Sequence, residues 1–452
     1  MALSSGVDSA VAAALLRERH PAEHIHPIYL ANWSPDQNPS PPSAAPRRGP
    51  YGKCIPAAAA TATSSGAETG TKCIDREFNR VTQICRHLDL RPPTLLRLEK
   101  EYWHDVFAPM LAAYACGLTP NPDVACNRFV KFGALADRLD ALFSGAGSGG
   151  AAADDGRAGG RRRWWLATGH YARVSPDGAA LMRSADAAKD QTYFLATIPA
   201  RMLARCIFPL GDAALTKCQV VARAAALQVP GWRPGEHTPE SFGLCFVEPA
   251  GGFRRFLDDF LPAQPGCIVV GRERRQWPSG TEVAMPPAGT DVGTHGGLWH
   301  ATVGEKARLQ LPQAEPAFCG RWYVSRKYVD RNAIEVVKGP NNYALFTTAM
   351  VVGEWRWLGP DAPRLLFSPA RLLVQFRHMQ RPLPVERVDV RGGGDQVYIA
   401  FDAPQKAVAC GQSAALWAGE RCLGGGVIEA TVGLDDPLPR GLDGAETPGP
   451  AS

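Results

Sequence analysis

The chain has 452 residues, of which 45% are hydrophobic and 21% charged, with a net charge of +5. This composition excludes a fully disordered chain and provides apolar side chains for about three domains of ~150 residues. The mildly basic charge permits a nucleic-acid partner without requiring one. No apolar run approaches the ~18 residues of a spanning helix, so we expect no membrane partner.

The 12 cysteines include no Cys-x-x-Cys pair. Paired spacings mark zinc sites, and dense disulfide frameworks belong to short secreted chains. We therefore expect mostly reduced, buried thiols, of which one or two could carry chemistry.

The first motif is the loop Leu3–Ser9 (LSSGVDS), which leads into a helical pattern over Ser9–Arg17. Gly6 permits close approach of a phosphate, and the loop amides and serine hydroxyls are donors for it. The carboxylate of Asp8 could hold Mg²⁺. The loop lacks the lysine of a Walker A motif. It resembles the PP-loop of ATP pyrophosphatases, although a serine-capped helix start is the alternative.

A buried strand should precede such a loop. Because only Met1-Ala2-Leu3 stand before it, we expect the first strand and any targeting sequence to be missing from this chain.

Strands and helices then alternate. Residues 28–30 predict a buried strand, and Asp75 is a candidate cap of a helix through Leu88. The next helix spans 101–116 and ends at Gly117, and residues 164–167 predict another strand. This alternation indicates a parallel α/β sheet over roughly residues 1–200.

Two cysteines lie in unusual surroundings. In the segment 117–127 (GLTPNPDVACN) two prolines predict a rigid turn that holds Asp123 and Cys126 at defined positions. A nearby carboxylate can relay a proton, although its charge also raises the pKa of a thiol. Cys245 lies in the apolar segment 240–247 (ESFGLCFV). By themselves, both cysteines are better explained as structural, buried thiols.

The last third is rich in short strands, predicted over 372–376, 385–390, 397–401 and 414–417, with a hairpin turn at 418–420. Closely spaced strands of this kind predict a small β-barrel or sandwich. The predicted domains are 1–204 with loop insertions at 34–71 and 144–163, a small central domain over 205–330, a β domain over 331–432, and a disordered tail over 433–452.

Together these motifs resemble the tRNA-specific 2-thiouridylase family, and the resemblance is collinear over nearly the whole chain. The similar stretches are 29–33, 101–107, 119–133 (TPNPDVACNRFVKFG), 167–173, 189–195, 208–211, 241–246, 295–298 and 423–428. The resemblance implies a Rossmann-like α/β PP-loop domain with a parallel sheet, a small central tRNA-binding domain and a C-terminal β-barrel. Two departures are Ser5, where many members have glycine, and residues 304–308, where the usual Gly-Gln-Arg pattern is replaced.

The resemblance also implies the site residues. The ATP-binding residues would be Ala2, Leu3, Ser4, Ser5, Gly6, Val7, Asp8, Ser9, Leu30 and Gly169, with Mg²⁺ held by Asp8. The tRNA-contacting residues would be Asn121, Pro122, Asp123, His170, Lys189, Asp190, Gln191, Arg377, His378 and Gln412. The catalytic residues would be Cys126, Cys245 and Asp123.

The implied chemistry has two stages. Transfer of AMP to O2 of the wobble uridine makes that oxygen a good leaving group. A persulfide on Cys245 then supplies sulfur to C2, with Cys126 as the family nucleophile. Cys126 either attacks the persulfide, leaving a Cys126–Cys245 disulfide, or releases hydrogen sulfide. The residues do not separate these two routes.

The implied partners are tRNAs with wobble uridine, of the Lys, Glu and Gln acceptors, and a cysteine desulfurase or sulfur relay protein as donor. The family and the loop insertions suggest a mitochondrial enzyme, although no presequence is visible. Two alternatives remain open. One is another PP-loop ATP pyrophosphatase, such as an amide-forming ligase, and the other is a tRNA-binding homologue that has lost catalysis.

Overall fold

The computed structural model describes residues 1–33, 67–144, 164–230, 232 and 252–436. Most of the two predicted insertions and the whole of 240–247, with Cys245, lie outside these ranges. Within them, no helix has the length and apolar character needed to cross a bilayer.

The α-helices of the described residues lie between residues 7 and 258, together with short strands. They are α1 Val7–Arg19, α2 Ala67–His87, α3 Glu99–Tyr102, α4 Ala108–Ala115, α5 Pro122–Ala125, α6 Leu135–Ser144, α7 Thr192–Leu195, α8 Pro209–Asp212, α9 Lys217–Ala226 and α10 Gly252–Asp258. Two π-helical segments, Trp103–Phe107 and Cys126–Ala134, join α3 to α4 and α5 to α6.

The strands of the first domain are short, and those of the last third are longer. They are β1 Ile28–Ala31, β2 Thr94–Arg97, β3 Leu166–Ala167, β4 Arg173–Val174, β5 Leu181–Met182, β6 Cys206–Ile207, β7 Gly266–Val270, β8 Asp291–His295, β9 Lys306–Ala307, β10 Trp322–Tyr328, β11 Ala333–Lys338, β12 Phe346–Trp357, β13 Leu372–Gln375, β14 Leu383–Arg391, β15 Gln396–Lys406, β16 Ser413–Ala418 and β17 Arg421–Gly433.

The first three residues complete a parallel sheet. Ala2 forms a parallel bridge with Ile28 of β1 and donates its N–H to the Ala167 carbonyl of β3 at 2.9 Å. With the parallel pairs β1–β2 and β3–β6, the order is β2, β1, residues 1–3, β3, β6. This is the strand order of a Rossmann-like sheet. Part of the strand before the loop, which we expected to be missing, is therefore present in residues 1–3.

Helix α2 begins earlier than predicted. It starts at Ala67 rather than at a cap formed by Asp75. Aspartate often caps helices, but an aspartate within a segment whose other residues are compatible with a helix does not by itself mark where the helix begins. Residues 67–71 are therefore helical, although they were predicted as part of a loop.

Residues after 204 also belong to the first domain. β6 pairs with β3, and Val220 and Ala224 of α9 share a buried core with Val11 and Leu15 of α1. The predicted boundary after residue 204 therefore falls within this core. A helix belongs to the domain against which its apolar face packs. The periodicity of the helix itself does not show which domain that is.

The central domain contains a five-stranded sheet in the order β8, β7, β11, β10, β9. β10 and β11 form an antiparallel pair, and β11 pairs in parallel with β7. The predicted boundary between residues 330 and 331 thus lies in the turn of this hairpin. The central sheet extends to Lys338.

The C-terminal domain is a closed barrel, which confirms the predicted fold class. Its strands follow the order β12, β15, β14, β13, β16, β17, and β17 pairs back with β12. A Cβ atom on Gly424 would lie 2.1 Å from the Arg356 carbonyl oxygen, so glycine is needed for this close pairing. β17 ends at Gly433, whose N–H donates to Asp436 at 2.7 Å. Residues 433–436, predicted within the tail, are therefore part of the fold.

The barrel and the first domain share a core. The fully buried Trp417 of β16 belongs to the same hydrophobic cluster as Phe107, Phe132 and Leu195. The hairpin β4–β5 extends the barrel sheet by pairing with β17 at Arg421 and Cys422. The barrel is thus in contact with the helices that carry the predicted catalytic turn.

Candidate functional site

The PP-loop is folded around Ser9. The Ser4 N–H donates to Ser9 Oγ at 3.2 Å, and the Ser9 hydroxyl lies 2.8 Å from the Ser4 carbonyl oxygen and 2.9 Å from that of Gly6. α1 starts at Val7, and the N-cap residue Gly6 that precedes it has no side chain to cap the helix. The first amides of α1 can therefore donate to an anion such as a phosphate.

Gly169 lies against this loop. A Cβ atom at Gly169 would be 2.9 Å from both the N and Cα atoms of Ser9. Leu30 lies near the end of β1, next to the strand formed by residues 1–3. The predicted ATP-binding residues therefore come together at the carboxyl edge of the parallel sheet, where α/β folds bind ligands.

Asp8 is already paired with a residue that the motifs did not indicate. Lys217 Nζ donates to both carboxylate oxygens of Asp8 at 2.8 Å, and the buried Tyr171 hydroxyl donates to Oδ1 at 2.9 Å. Asp8 has the oxygen chemistry that Mg²⁺ prefers, but a metal ion there would compete with the Lys217 ammonium. In the part of the chain that is described, no cluster of three or more potential metal ligands occurs.

A second carboxylate approaches the loop. The Ser5 hydroxyl donates to Glu77 Oε2 of α2. The loop residues 2–9 contain no lysine or arginine. The loop therefore contains one acidic group, Asp8, and contacts another, Glu77. The ammonium of Lys217 on α9 contacts Asp8.

The turn before Cys126 is built as the prolines predict. Gly117 ends α4 with a φ of 71°, and Asn121 caps α5 by accepting from the Val124 N–H at 3.3 Å. Cys126 follows α5 at the start of the π-helical segment and is 7% exposed. π-helical segments in proteins frequently mark functional sites.

Asp123 stands three residues before Cys126 in this turn. Burial raises the pKa of the Asp123 carboxyl, and Lys131 opposes that rise. A carboxyl with a raised pKa is better suited to accept and return a proton near neutral pH. This agrees with the predicted proton-relay role, which stays a prediction.

The barrel supports the turn from the other side. The Thr119 N–H donates to the Cys410 carbonyl at 2.9 Å, and Gln412 Nε2 lies 3.5 Å from the Pro120 carbonyl oxygen. The fully buried Tyr193 donates its hydroxyl to the Ser413 carbonyl at 2.9 Å and accepts from Asn121 Nδ2 at 3.4 Å. Asn121 and Gln412, two predicted tRNA contacts, are therefore brought together across the domain boundary.

The predicted tRNA-contacting stretch 189–191 is half-buried at all three residues. Asp190 accepts from Arg183 Nη1 at 2.9 Å and from the Thr192 N–H and hydroxyl, and its side chain is only 9% exposed. Gln191 Oε1 accepts from the Tyr171 N–H at 3.0 Å. In this structure Asp190 stabilises the turn, and Gln191 connects it to the residue that contacts Asp8.

The remaining predicted contacts lie on the barrel loop after β13. The Arg377 guanidinium donates to the carbonyls of Lys406 and Ala407. The ring centroid of the exposed His378 lies 4.4 Å from that of Phe194. An exposed imidazole beside an aromatic ring is suited to contact an unstacked base. The tRNA roles of both residues stay predictions.

His170 connects the PP-loop to the Cys126 segment. It directly follows Gly169, its Nδ1 lies 2.8 Å from Thr168 Oγ1, and its ring lies 5.9 Å from that of Phe132 in the π-helical segment. His170 therefore connects the predicted ATP-binding loop, through Gly169, to the π-helical segment that begins at Cys126.

The protonation of His170 leads to a test by pH. Burial, helped by Lys131, lowers the pKa of His170 to about 3. Because a histidine in the unfolded chain titrates near ~6.5, acidification protonates the unfolded chain first and reduces stability. We expect His170→Gln to flatten the fall in unfolding free energy between about pH 7 and about pH 5 by up to ~2 kcal/mol. Urea denaturation measures this, and an unchanged pH dependence would show that folding does not lower the pKa of His170.

The sequence motifs did not indicate Lys217, Tyr171 or Tyr193 as site residues. A capping box formed by Thr216 and Gln219 marks the start of α9. It does not reveal that Lys217, the first residue of this helix, reaches Asp8. Cys245, the other predicted catalytic cysteine, lies outside the described residues.

Comparison with known proteins identifies each domain. Family models match as the tRNA methyl transferase HUP domain over residues 52–249, the tRNA methyl transferase PRC-barrel domain over 254–338 and the aminomethyltransferase beta-barrel domain over 347–428. The second match ends where β11 ends, and the third covers most of the closed barrel.

Three relatives match over most of their length. The mitochondrial tRNA-specific 2-thiouridylase 1 of Saccharomyces cerevisiae is 33% identical, over 95% of this chain and 90% of its own. Its namesake in Schizosaccharomyces pombe is also 33% identical, over 95% and 89%. The tRNA-specific 2-thiouridylase MnmA of Alcanivorax borkumensis is 31% identical, over 95% and 96%. The chain therefore belongs to the tRNA-specific 2-thiouridylase family.

Proposed function

We propose that the chain is a tRNA 2-thiouridylase, which uses ATP to replace the C2 oxygen of a wobble uridine with sulfur. One observation carries the proposal. Gly169 packs against Ser9 of the loop, and its neighbour His170 contacts Phe132 of the π-helical segment that begins at the buried Cys126.

The residues of the loop have a clear task in this reaction. The uncapped amides of α1 bind the phosphates of ATP, and Gly6 leaves room for them. Loss of the uracil O2 is slow unless this oxygen is first made a good leaving group, and adenylation achieves that. Mg²⁺ bound at Asp8 would supply further positive charge for the phosphates.

The turn 117–126 acts on the base. Asn121, whose side chain donates to Tyr193, contacts the uracil once it has left its stack. Asp123 can hold and return a proton because burial raises its pKa. Cys126 is the nucleophile, and Cys245 is the cysteine that receives the persulfide from a cysteine desulfurase or a relay protein.

The names of two matched domain families mention methyl transfer. The thiouridylase names of relatives aligned over 95% of the chain favour sulfur transfer. The loop supports the same choice, because an ATP-binding loop beside a cysteine suits activation followed by thiolation. An amide-forming PP-loop ligase would have no need of the cysteine turn.

The finer substrate assignment comes from family resemblance. We propose tRNAs of the Lys, Glu and Gln acceptors and a mitochondrial location. Two relatives named mitochondrial support this location, although bacterial MnmA proteins are similarly close.

The test is ATP-dependent modification of an anticodon stem-loop with wobble uridine. The assay contains a cysteine desulfurase and cysteine, and mass spectrometry of the nucleosides follows. We expect 2-thiouridine only when ATP is present. An unmodified base in the presence of ATP would contradict the proposal.

A further inference from the structure

The PP-loop carries an unfavourable charge for its ligand. A nucleoside triphosphate is strongly anionic, yet residues 2–9 include Asp8 and no cation, and Ser5 is bonded to Glu77. Like charges at short range oppose binding where water is partly excluded. A positive group from elsewhere in the chain, placed beside this loop, would offset that charge.

Lys217 is positioned to be that group. It is the first residue of α9, and the Thr216–Gln219 capping box holds the start of this helix. The Lys217 N–H donates to Asp186 Oδ2 at 2.8 Å, which holds the backbone while the side chain can change its partner. The side chains of Lys217 and Asp8 are 21% and 31% exposed, so a nucleotide can reach both from solvent.

We propose that Lys217 is a catalytic residue that binds the β and γ phosphates of ATP, a role that rests on the proposed function. Without nucleotide its ammonium is held on Asp8. With nucleotide the ammonium donates hydrogen bonds to phosphate oxygens, and Asp8, still bonded to Tyr171, is released to attract a cation. Lys217 thus provides from α9 the charge that a Walker A lysine provides from within its loop.

The role of Lys217 in the reaction follows from the negative charge that develops on the leaving pyrophosphate. When the uridine O2 forms its bond to the α phosphorus, the bond from that phosphorus to the bridging oxygen breaks. Pyrophosphate leaves with the electron pair. The Lys217 ammonium stabilises this charge through hydrogen bonds and gives up no proton.

The alternative is an ion pair that only fastens α9 to α1. A second ion pair between the same helices provides a matched control, because Arg223 Nη2 donates to Glu18 away from the loop. If the Lys217–Asp8 ion pair only holds α9 against α1, Lys217→Met and Arg223→Met should lower stability to a similar extent, and neither should change nucleotide affinity.

The experiment is calorimetric binding of ATP and of AMP to the wild-type chain, Lys217→Met, Lys217→Arg and Arg223→Met. We expect Lys217→Met to weaken ATP binding about tenfold or more while AMP binding changes less than about twofold. Lys217→Arg should recover part of the ATP affinity, and Arg223→Met should bind both nucleotides normally. Equal effects of Lys217→Met on ATP and AMP, or none, would overturn the proposal.

A measurement on the wild-type chain covers the case in which Lys217→Met does not fold. Acetylation of Lys217, followed by mass spectrometry, should be slower with ATP or pyrophosphate than with AMP. Equal rates would overturn the role of Lys217. A wild-type chain that binds no ATP would contradict the proposed function itself, whereas normal ATP binding by Lys217→Met would contradict only the role of this lysine.

Discussion

Replacing Cys126 by serine is expected to abolish 2-thiolation while leaving ATP binding intact. A serine hydroxyl is a far weaker nucleophile than a thiolate at neutral pH, and loss of a nucleophile lowers turnover by about 10³-fold or more. Because Cys126 is 7% exposed and its replacement is nearly isosteric, the fold should persist. The measurement is 2-thiouridine formed by each variant in the stem-loop assay, with ATP affinity measured alongside.

Cys206 offers a matched control, since it is 8% exposed and lies in strand β6. Burial raises the pKa of the Cys206 thiol to about 12, so this thiol is inert. Cys206→Ser should keep its thiolation activity. Full activity of Cys126→Ser would discard the cysteine mechanism.

Cys245→Ser is expected to lose thiolation as completely as Cys126→Ser, because the proposed persulfide has no other carrier. Replacing the desulfurase by sulfide separates the two routes. Recovery in both variants would favour hydrogen sulfide as the attacking species, because free sulfide then replaces the contribution of both cysteines, whereas recovery in neither would favour direct transfer from the persulfide.

The second large effect is expected from Gly169→Ala. The added methyl carbon would lie 2.9 Å from the backbone N and Cα of Ser9 and 3.1 Å from the Asp8 carbonyl carbon. Because these neighbours are backbone atoms, the PP-loop itself must move. We expect ATP affinity to fall about 100-fold, as misplacement of binding groups by about 1 Å can cost that much. Calorimetric titration with ATP checks this.

Gly6→Ala is the companion variant. A Cβ atom at Gly6 has only the Ser4 hydroxyl oxygen nearby, at 3.4 Å, and Gly6 has an ordinary φ of −75°. The variant should therefore melt like the wild type, whereas Gly169→Ala should melt at a lower temperature. Weaker ATP binding by Gly6→Ala would show that a phosphate approaches this position. Unchanged ATP binding and melting by Gly169→Ala would contradict the loop geometry.

Local signals predicted the elements that carry chemistry. The proline-fixed turn before Cys126, the helix end at Gly117 and the barrel strands near 372–376, 385–390, 397–401 and 414–417 agree with the structure. Turn residues and alternating apolar residues act over a few positions, so these features are visible in one segment. Domain limits were less predictable, because they depend on which apolar faces meet.

The sequence by itself determined the family, through a resemblance over nearly the whole chain, and it predicted the α/β domain, the barrel, the PP-loop and the cysteine turn from residue types at short spacing. Tertiary structure alone decided that residues 1–3 complete the sheet and that β11 joins the central domain. It also decided the contacts of Lys217 with Asp8 and of Tyr193 with Ser413, which lie 209 and 220 residues apart. Such pairs depend on how helices and barrel dock, and no local periodicity records that choice.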